Sequence, residues 1–291
     1  MAKRLASLVA LALLTTVGAA AGSGAQPRSG DAATAAQRQP TVAVFDVGWA
    51  PTRRMPWRDL TQADLFSLVT QNGSGLRTSN LAGVAVKRWV AAAHAHHVQA
   101  LITIGGSDDQ HWQDACNDNN RAQFVGNLVA YAVSHGFDGI DLDIEDGLWG
   151  SQGPPSPAMT TCIEAAATAA HAADSKAGKP LWVSADVITN WEGGWFTPSR
   201  SYVDQFNLMT YGDKLSTLAA DVGATHKQGL PYSKMTVGID VDDYAEPRGG
   251  CRPYLSWAKR HHLLGAFVWD AGSDRKKAGN HCLNALAGRR R

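Results

Sequence analysis

The stretch Phe137-Asp138-Gly139-Ile140-Asp141-Leu142-Asp143-Ile144-Glu145 alternates acids with aliphatic residues over its second half. Successive side chains of a strand point to opposite faces, so Asp141, Asp143 and Glu145 share one face and Ile140, Leu142 and Ile144 the other. The aliphatic face argues against a solvated surface strand. Asp138 has the opposite parity and sits near the strand entrance, where a structural task such as hydrogen bonding to backbone amides is expected.

Seven runs of similar length and composition flank it: 41–47, 64–70, 99–104, 181–188, 203–209, 234–240 and 265–269. All are rich in Val, Ile, Leu or Phe, as strands covered on both faces should be. Helical spacing is expected between several of them, over 81–97, 119–135 with Gly136 as its stop, 160–176, 218–228 and 254–262. Strands alternating with helices imply a parallel sheet. Eight such units from residue 41 to the end fit an α/β fold of the (β/α)₈ TIM-barrel class in a single domain, 41–291. An open doubly wound sheet would carry a G-x-G-x-x-G turn after its first strand, and Val47-Gly48-Trp49 is unlike it.

In such a barrel the acidic face points inward and toward the C-terminal mouth, where sites are built. Neighbouring carboxylates in a low-dielectric cavity cannot all stay ionised, so at least one proton is held there near neutral pH. Glu145, outermost and longest in reach, is the expected general acid, with Asp143 and Asp141 behind it. On spacing alone three uses stay open: acid catalysis of glycosidic cleavage, a divalent-cation site and a buried structural network.

The first residues read as an export leader over 1–25. Lys3 and Arg4 precede a short apolar core, Leu8 to Val17, and small residues follow. That core is too short to span a membrane. Residues 26–40 lack an apolar face and read as a flexible linker. Secretion, extracellular or periplasmic, permits disulfides among Cys116, Cys162, Cys251 and Cys282. Of three pairings, Cys116 with Cys162 and Cys251 with Cys282 are expected, because each joins neighbouring strand-to-helix segments. A formal net charge of +1 gives no electrostatic case for nucleic acid or an anionic membrane.

Asp138-x-x-Asp141-x-Asp143-x-Glu145 has every acidic position of the D-x-x-D-x-D-x-E signature of glycoside hydrolase family 18, the chitinases, and resembles that family. Thr103-Ile104-Gly105-Gly106 resembles its S-x-G-G element, where Gly105 and Gly106 are structural. Gln205 to Tyr211 resembles its sixth-strand M-x-Y segment, with Met209 beside the substrate. Gly265 to Trp269 resembles the last strand, which supplies a tryptophan at the floor of the sugar site. The resemblance spans about residues 41 to 270 and implies a secreted endo-acting chitinase. The same motif serves endo-β-N-acetylglucosaminidases acting on glycoconjugates, and a chitin-binding lectin that kept only the barrel is an alternative of another class.

The resemblance also implies a substrate-assisted, retaining mechanism without a cofactor or metal. Glu145 protonates the glycosidic oxygen, the substrate's 2-acetamido oxygen attacks the anomeric carbon, and Asp143 and Tyr211 hold the acetamido group. The family often continues M-x-Y with aspartate. This chain has Gly212 there and Asp213 one place later, and a one-residue offset reverses a strand side chain. Residues 241–264 leave no room for the α+β insertion that walls the cleft in many chitinases, so a short form with a shallow cleft is expected.

Ten tryptophans stand out. Trp49, Trp149, Trp191, Trp195 and Trp269 are placed at the barrel mouth, where indole planes can pack on pyranose faces. Trp112 beside Cys116 is divided between core and mouth, and Trp89 and Trp182 are read as core. His94, His96 and His97 end a helix, which suits the helix dipole better than a metal site. Expected partners are chitin or N-acetylglucosamine oligosaccharides, bound by a monomer.

Overall fold

In the computed structural model, residues 39–107, 109, 111–145, 157–189, 193–241 and 251–288 are described. The leader expected over 1–25, and residues 26–38 of the linker, lie outside them. Among the described residues nine strands form: β1 (Thr41–Val47), β2 (Gln62–Thr70), β3 (Leu76–Arg77), β4 (Gln99–Gly105), β5 (Gly139–Asp143), β6 (Trp182–Val187), β7 (Gln205–Leu208), β8 (Met235–Asp240) and β9 (Gly265–Trp269). Their order, β1-β9-β8-β7-β6-β5-β4-β2, closes on itself because β1 also pairs with β2, and every pairing around the ring is parallel. β3 is a two-residue antiparallel addition to the end of β2. The described chain is thus a closed eight-stranded barrel, and each of the eight expected runs overlaps one of its strands.

Among the described residues the outer layer holds α1 (Val86–Ala95), α2 (Trp112–Ala115), α3 (Arg121–His135), α4 (Pro157–Ala172), α5 (Gly193–Phe196), α6 (Leu215–Lys227), α7 (Arg252–Arg260), α8 (Ala271–Ala278) and α9 (His281–Leu286). Aliphatic side chains on the outward face of the strands, such as Ile102, Ile104, Ile140, Leu142, Ile144, Val183 and Val187, pack with Phe124, Leu128, Ile163 and Leu218 of these helices in one buried cluster. Each such side chain contributes about 1.5–3 kcal/mol by leaving water. The outward parity expected for Leu142 and Ile144 is what the barrel shows.

The interior divides by chemistry. Ala43, Phe45, Val47, Phe66 and Phe267 form a separate buried cluster along β1, β2 and β9, with Tyr211 and Trp269 packed on it. The arc from β4 to β8 is polar. Thr103, Asp141, Ser184, Asn207 and Thr236 are all fully buried there. On β2 the pairing with β4 shifts register between Leu65 and Leu68. A slipped residue is the usual effect of a bulge. It lets Leu65 and Leu68 both join the outer cluster while Phe66 joins the inner one.

Disulfides link Cys116 to Cys162 and Cys251 to Cys282, the pairing expected from the topology. The first ties the end of α2 to α4, and the second ties the start of α7 to α9.

Candidate active site

β5 is short. It ends at Asp143, so Ile144 and Glu145 continue past its last paired residue toward the mouth. Asp141, Asp143 and Glu145 are 0%, 4% and 8% exposed, a gradient running outward along one face. Asp141 accepts hydrogen bonds from Thr103 Oγ1 at 3.0 Å, Ser184 Oγ at 2.5 Å and Asn207 Nδ2 at 3.3 Å. Asn207 is oriented in turn, because its Oδ1 accepts from Gln205 Nε2 and Thr236 Oγ1, both at 2.7 Å. Donors on β4, β6 and β7 therefore replace the hydration that a buried carboxylate loses.

Asp143 is held by its backbone as well. Its carbonyl oxygen accepts from Gly106 N at 3.0 Å. Gly105 and Gly106 have φ of +117° and +110°, and a Cβ on Gly105 would lie 1.8 Å from that carbonyl oxygen. A Cβ on Gly106 would meet the Phe66 ring at 2.7 Å. Only glycine allows β4 to close on Asp143 here, which gives both residues their structural role.

Tyr211 follows β7 and stands half-buried, its ring edge-on to Phe267 with centroids 6.1 Å apart. Burial pushes its phenol well above the usual tyrosine value, and the acids Asp186, Asp143, Asp240 and Glu145 push it further. Tyr211 is thus a neutral hydroxyl within the field of Asp143 and Glu145. Trp269 closes the same space, tilted against Phe45 at 5.6 Å and edge-on to Phe66 at 4.8 Å. Asp240 is its register partner on β8. Met209, half-buried, follows the last residue of β7, and its amide donates to Val187 O.

The tryptophans separate by position. Trp49 is 57% exposed and leans edge-on against Phe66 at 5.7 Å. Trp112 is core: it is buried and packs on Phe124. Trp89 is core too, with its indole N–H donated to Asp46 at 2.8 Å. Trp182 is half-buried within β6. Trp195 falls in α5. Trp149 and Trp191 lie outside the described residues.

Asp138 has the structural task its parity implies. Its Oδ2 accepts from Ala100 N at 2.9 Å and lies 2.8 Å from His94 Nε2, which accounts for one histidine of the helix-end trio. Asp204 repeats the arrangement two strands on, with Val183 N and His171. Among the described residues no group of three or more His, Cys, Asp or Glu is placed to hold a metal ion.

Gly212 has φ +74° and turns the chain after Tyr211. Asp213 then sits beside Asp221 of α6, and burial together with that neighbour raises its carboxyl to about 7. Its backbone carbonyl accepts from the Tyr254 hydroxyl. Asp213 is not among the acids that act on Tyr211. The offset in sequence is an offset in space.

Asp64 and Asp186 are further interior acids that belong to no motif. Burial pushes both well above the usual aspartate range, and Asp141 adds to each. The signal that reveals Asp186 is parity: Ser184 and Asp186 alternate with Val183, Ala185 and Val187.

A family model described as Glycosyl hydrolases family 18 matches residues 57–246. A chitinase from Bacteroides thetaiotaomicron superposes with a TM-score of 0.72 at 14% identity, over 86% of this chain and 96% of that one. A family 18 N-acetylglucosaminidase from Paenibacillus barengoltzii gives 0.68 at 15% identity, over 86% and 99%. At such identities the likeness shows the fold. A chitinase-like effector of Moniliophthora perniciosa is 34% identical over 96 residues, which are 31% of this chain and 22% of the effector.

Proposed function

The chain belongs to glycosyl hydrolases family 18, and from that membership we propose that it is an exported, endo-acting chitinase cutting β-1,4-linked N-acetylglucosamine polymers. The observation that carries the proposal is the placement of Glu145 beyond the end of β5, on the face of Asp141 and Asp143, with the Tyr211 hydroxyl in the field of Glu145 and Asp143. The half-buried Trp269 packs against the same inner aromatic cluster as Tyr211 and offers an apolar plane of the kind an N-acetylglucosamine ring packs on.

On this reading Glu145 donates its proton to the glycosidic oxygen as the bond to the leaving sugar breaks. The substrate's acetamido carbonyl oxygen attacks the anomeric carbon and gives an oxazolinium ion. Asp143 accepts a hydrogen bond from the acetamido N–H and balances the positive charge that develops there. Tyr211, a neutral donor, bonds the acetamido oxygen. Glu145, now a base, takes a proton from the water that opens the ring, and the configuration is retained. The residues between β8 and β9 number too few for a cleft-walling insertion, which favours an open cleft and internal cutting. The apolar leader and two disulfides support export.

A second reading is favoured by two observations. No carboxylate follows Tyr211 where the family often has one, and a chitinase-like effector is among the relatives. A chitin-binding protein without turnover would fit both facts. An endo-β-N-acetylglucosaminidase acting on glycoconjugates shares the motif and differs in its loops.

Incubation with N-acetylglucosamine tetramer to hexamer, beside Glu145→Gln, separates these readings. Cleavage by the parent alone supports the chitinase. Cleavage that survives in the variant would remove Glu145 from the mechanism. Binding without cleavage by the parent selects the lectin, and glycan release from a glycoprotein with oligomers untouched selects the third reading.

A further inference from the structure

Asp186 is 4% exposed inside the barrel, and the mechanism above does not use it. The β5–β6 register pairs Asp141 with Ser184 and Leu142 with Ala185. Asp143 and Asp186 are the next residues on the two strands, and Asp143 is among the charges that act on Asp186. On the other side Asp186 pairs with Asn207 of β7. Asn207 and Asp141 lie within hydrogen-bonding reach of its carboxyl, while its Oδ1 is buried with no partner among the described residues. The charged groups acting on it are all acids: Asp141 and Asp143 from β5 and Asp64 from β2. Beside them stands Tyr211, on which Asp186 acts more strongly than any other acid does.

Carboxylates sharing one enclosure without a cation cannot all be ionised. The donors decide which of them is. Asp141 has three, from Thr103, Ser184 and Asn207, and is the natural seat of a charge. Asp186 has an oxygen with none, and is the natural seat of a proton. A hydrogen bond between two carboxyl groups needs one of them protonated, and a protonated Asp186 is the donor in that pair.

We infer that Asp186 is a positioning residue of this site: a neutral carboxylic acid that keeps its proton, donates a hydrogen bond to Asp141 and so leaves Asp143 as the charged acceptor for the substrate. The inference rests on the proposed function. Were Asp186 ionised beside Asp143, repulsion would drive a proton onto Asp143, which would then lose the negative charge that balances the oxazolinium ion. Burial supports the assignment, since it pushes the Asp186 carboxyl well above its usual range and Asp141 and Asp143 push the same way.

The test compares the parent with Asp186→Asn and Asp186→Ala, by hexamer kinetics and by ¹³C-carboxyl NMR of aspartate-labelled protein. Asn puts an N–H donor where the acid's proton stood, so Asp186→Asn should keep kcat within about 3-fold of the parent. Ala should lower kcat about 10- to 100-fold with KM nearly unchanged, the scale of a misplaced catalytic geometry. One carboxyl resonance titrating well above the usual aspartate value should vanish in Asp186→Asn. That measurement holds even if Asp186→Ala does not fold. Equal losses in the two variants, no loss in Asp186→Ala, or an ordinary titration for Asp186 would each overturn the inference. A parent that hydrolyses no N-acetylglucosamine oligomer sinks the proposed function and this role with it. An active parent with an ordinary Asp186 titration sinks this role alone.

Discussion

Ser184 donates its hydroxyl to Asp141 across 2.5 Å in the barrel interior, joining two adjacent strands at the level just below Asp143. Thr103 reaches the same carboxylate from the other neighbouring strand. A fully buried acid is thereby satisfied from both sides, and Asp143 stands on a base that cannot shift without breaking those bonds. Position along β5 and hydrogen bonding across it are one device.

Replacing Ser184 with Ala should destabilise the fold by about 1–3 kcal/mol, the cost of leaving a buried acceptor short of a donor. Urea unfolding near neutral pH measures it. Hexamer turnover should fall along with stability, because Asp141 supports Asp143. A change below about 0.5 kcal/mol would mean that the bond carries no weight in the folded state.

The buried acids make stability depend on pH with a definite sign. Asp64, Asp141 and Asp186 all have folded-state values raised, first by burial, above the ordinary 3.8. The folded chain therefore binds more protons than the unfolded chain from about pH 4 upward, and stability falls as pH rises through that window. Their contribution is complete below pH 3.8 and is lost as each folded value is passed. Urea midpoints taken every half unit between pH 4 and 8 should show the decline, and Asp186→Asn should flatten it. An unchanged slope in that variant would contradict the raised value of Asp186.

The strands were legible because hydrophobic runs of strand length recur, and β5 announced its inner face through Asp141, Asp143 and Glu145. The partners of those acids were not. Thr103, Ser184 and Asn207 meet Asp141 only through cross-strand register, which no single run contains. Parity also fails in β2, where the slip between Leu65 and Leu68 comes from pairing with β4. Helix boundaries differ in both directions: the first begins at Val86 rather than Leu81, because Ser79–Leu81 forms a 3₁₀ turn, while the helices expected from 160, 218 and 254 begin two or three residues earlier. The last two helices escaped notice since α8 is mostly polar. The first starts at a side-chain cap, Asp270 accepting from Ser273 N at 3.0 Å, and the first turn of the second is held by Asp274 of its neighbour, which accepts from Cys282 N and Leu283 N. Both disulfides have the pairing expected from neighbouring strand-to-helix segments, although the cysteine spacing by itself allowed three.

Those disulfides close segments of 46 and 31 residues. Chain-entropy arguments give about 4 kcal/mol for each at these lengths, an upper figure when the reduced chain keeps structure. Cys116→Ala with Cys162→Ala should lower unfolding stability by about 2–4 kcal/mol in urea, and the Cys251 and Cys282 pair by a similar amount. A paired variant as stable as the parent would show that the link constrains nothing the fold needs.

Trp49 separates substrate contact from packing. It is 57% exposed, so Trp49→Ala should change stability by less than about 0.5 kcal/mol. Loss of an indole plane at a sugar contact should weaken oligomer affinity by about 0.5–1.5 kcal/mol, or about 2- to 10-fold. Calorimetric titration of Glu145→Gln with tetramer, with and without Trp49, reads the difference. Equal affinities would leave Trp49 a surface residue leaning on Phe66.

Asp213 tests whether the acid displaced from its usual place has another use. Its carboxyl is raised to about 7, first by burial and then by Asp221. It therefore contributes stability at low pH that is lost as pH rises from 3.8 through about 7. Asp213→Asn removes the titrating group, so the variant should lose less stability than the parent between pH 5 and 8. Because Asp213 is turned toward α6 and is not among the acids acting on Tyr211, hexamer turnover near pH 5 should stay within about 2-fold, as for a surface change away from the site. A larger loss of turnover at unchanged stability would mean that Asp213 reaches the substrate, and Gly212 would then be a hinge rather than a gap.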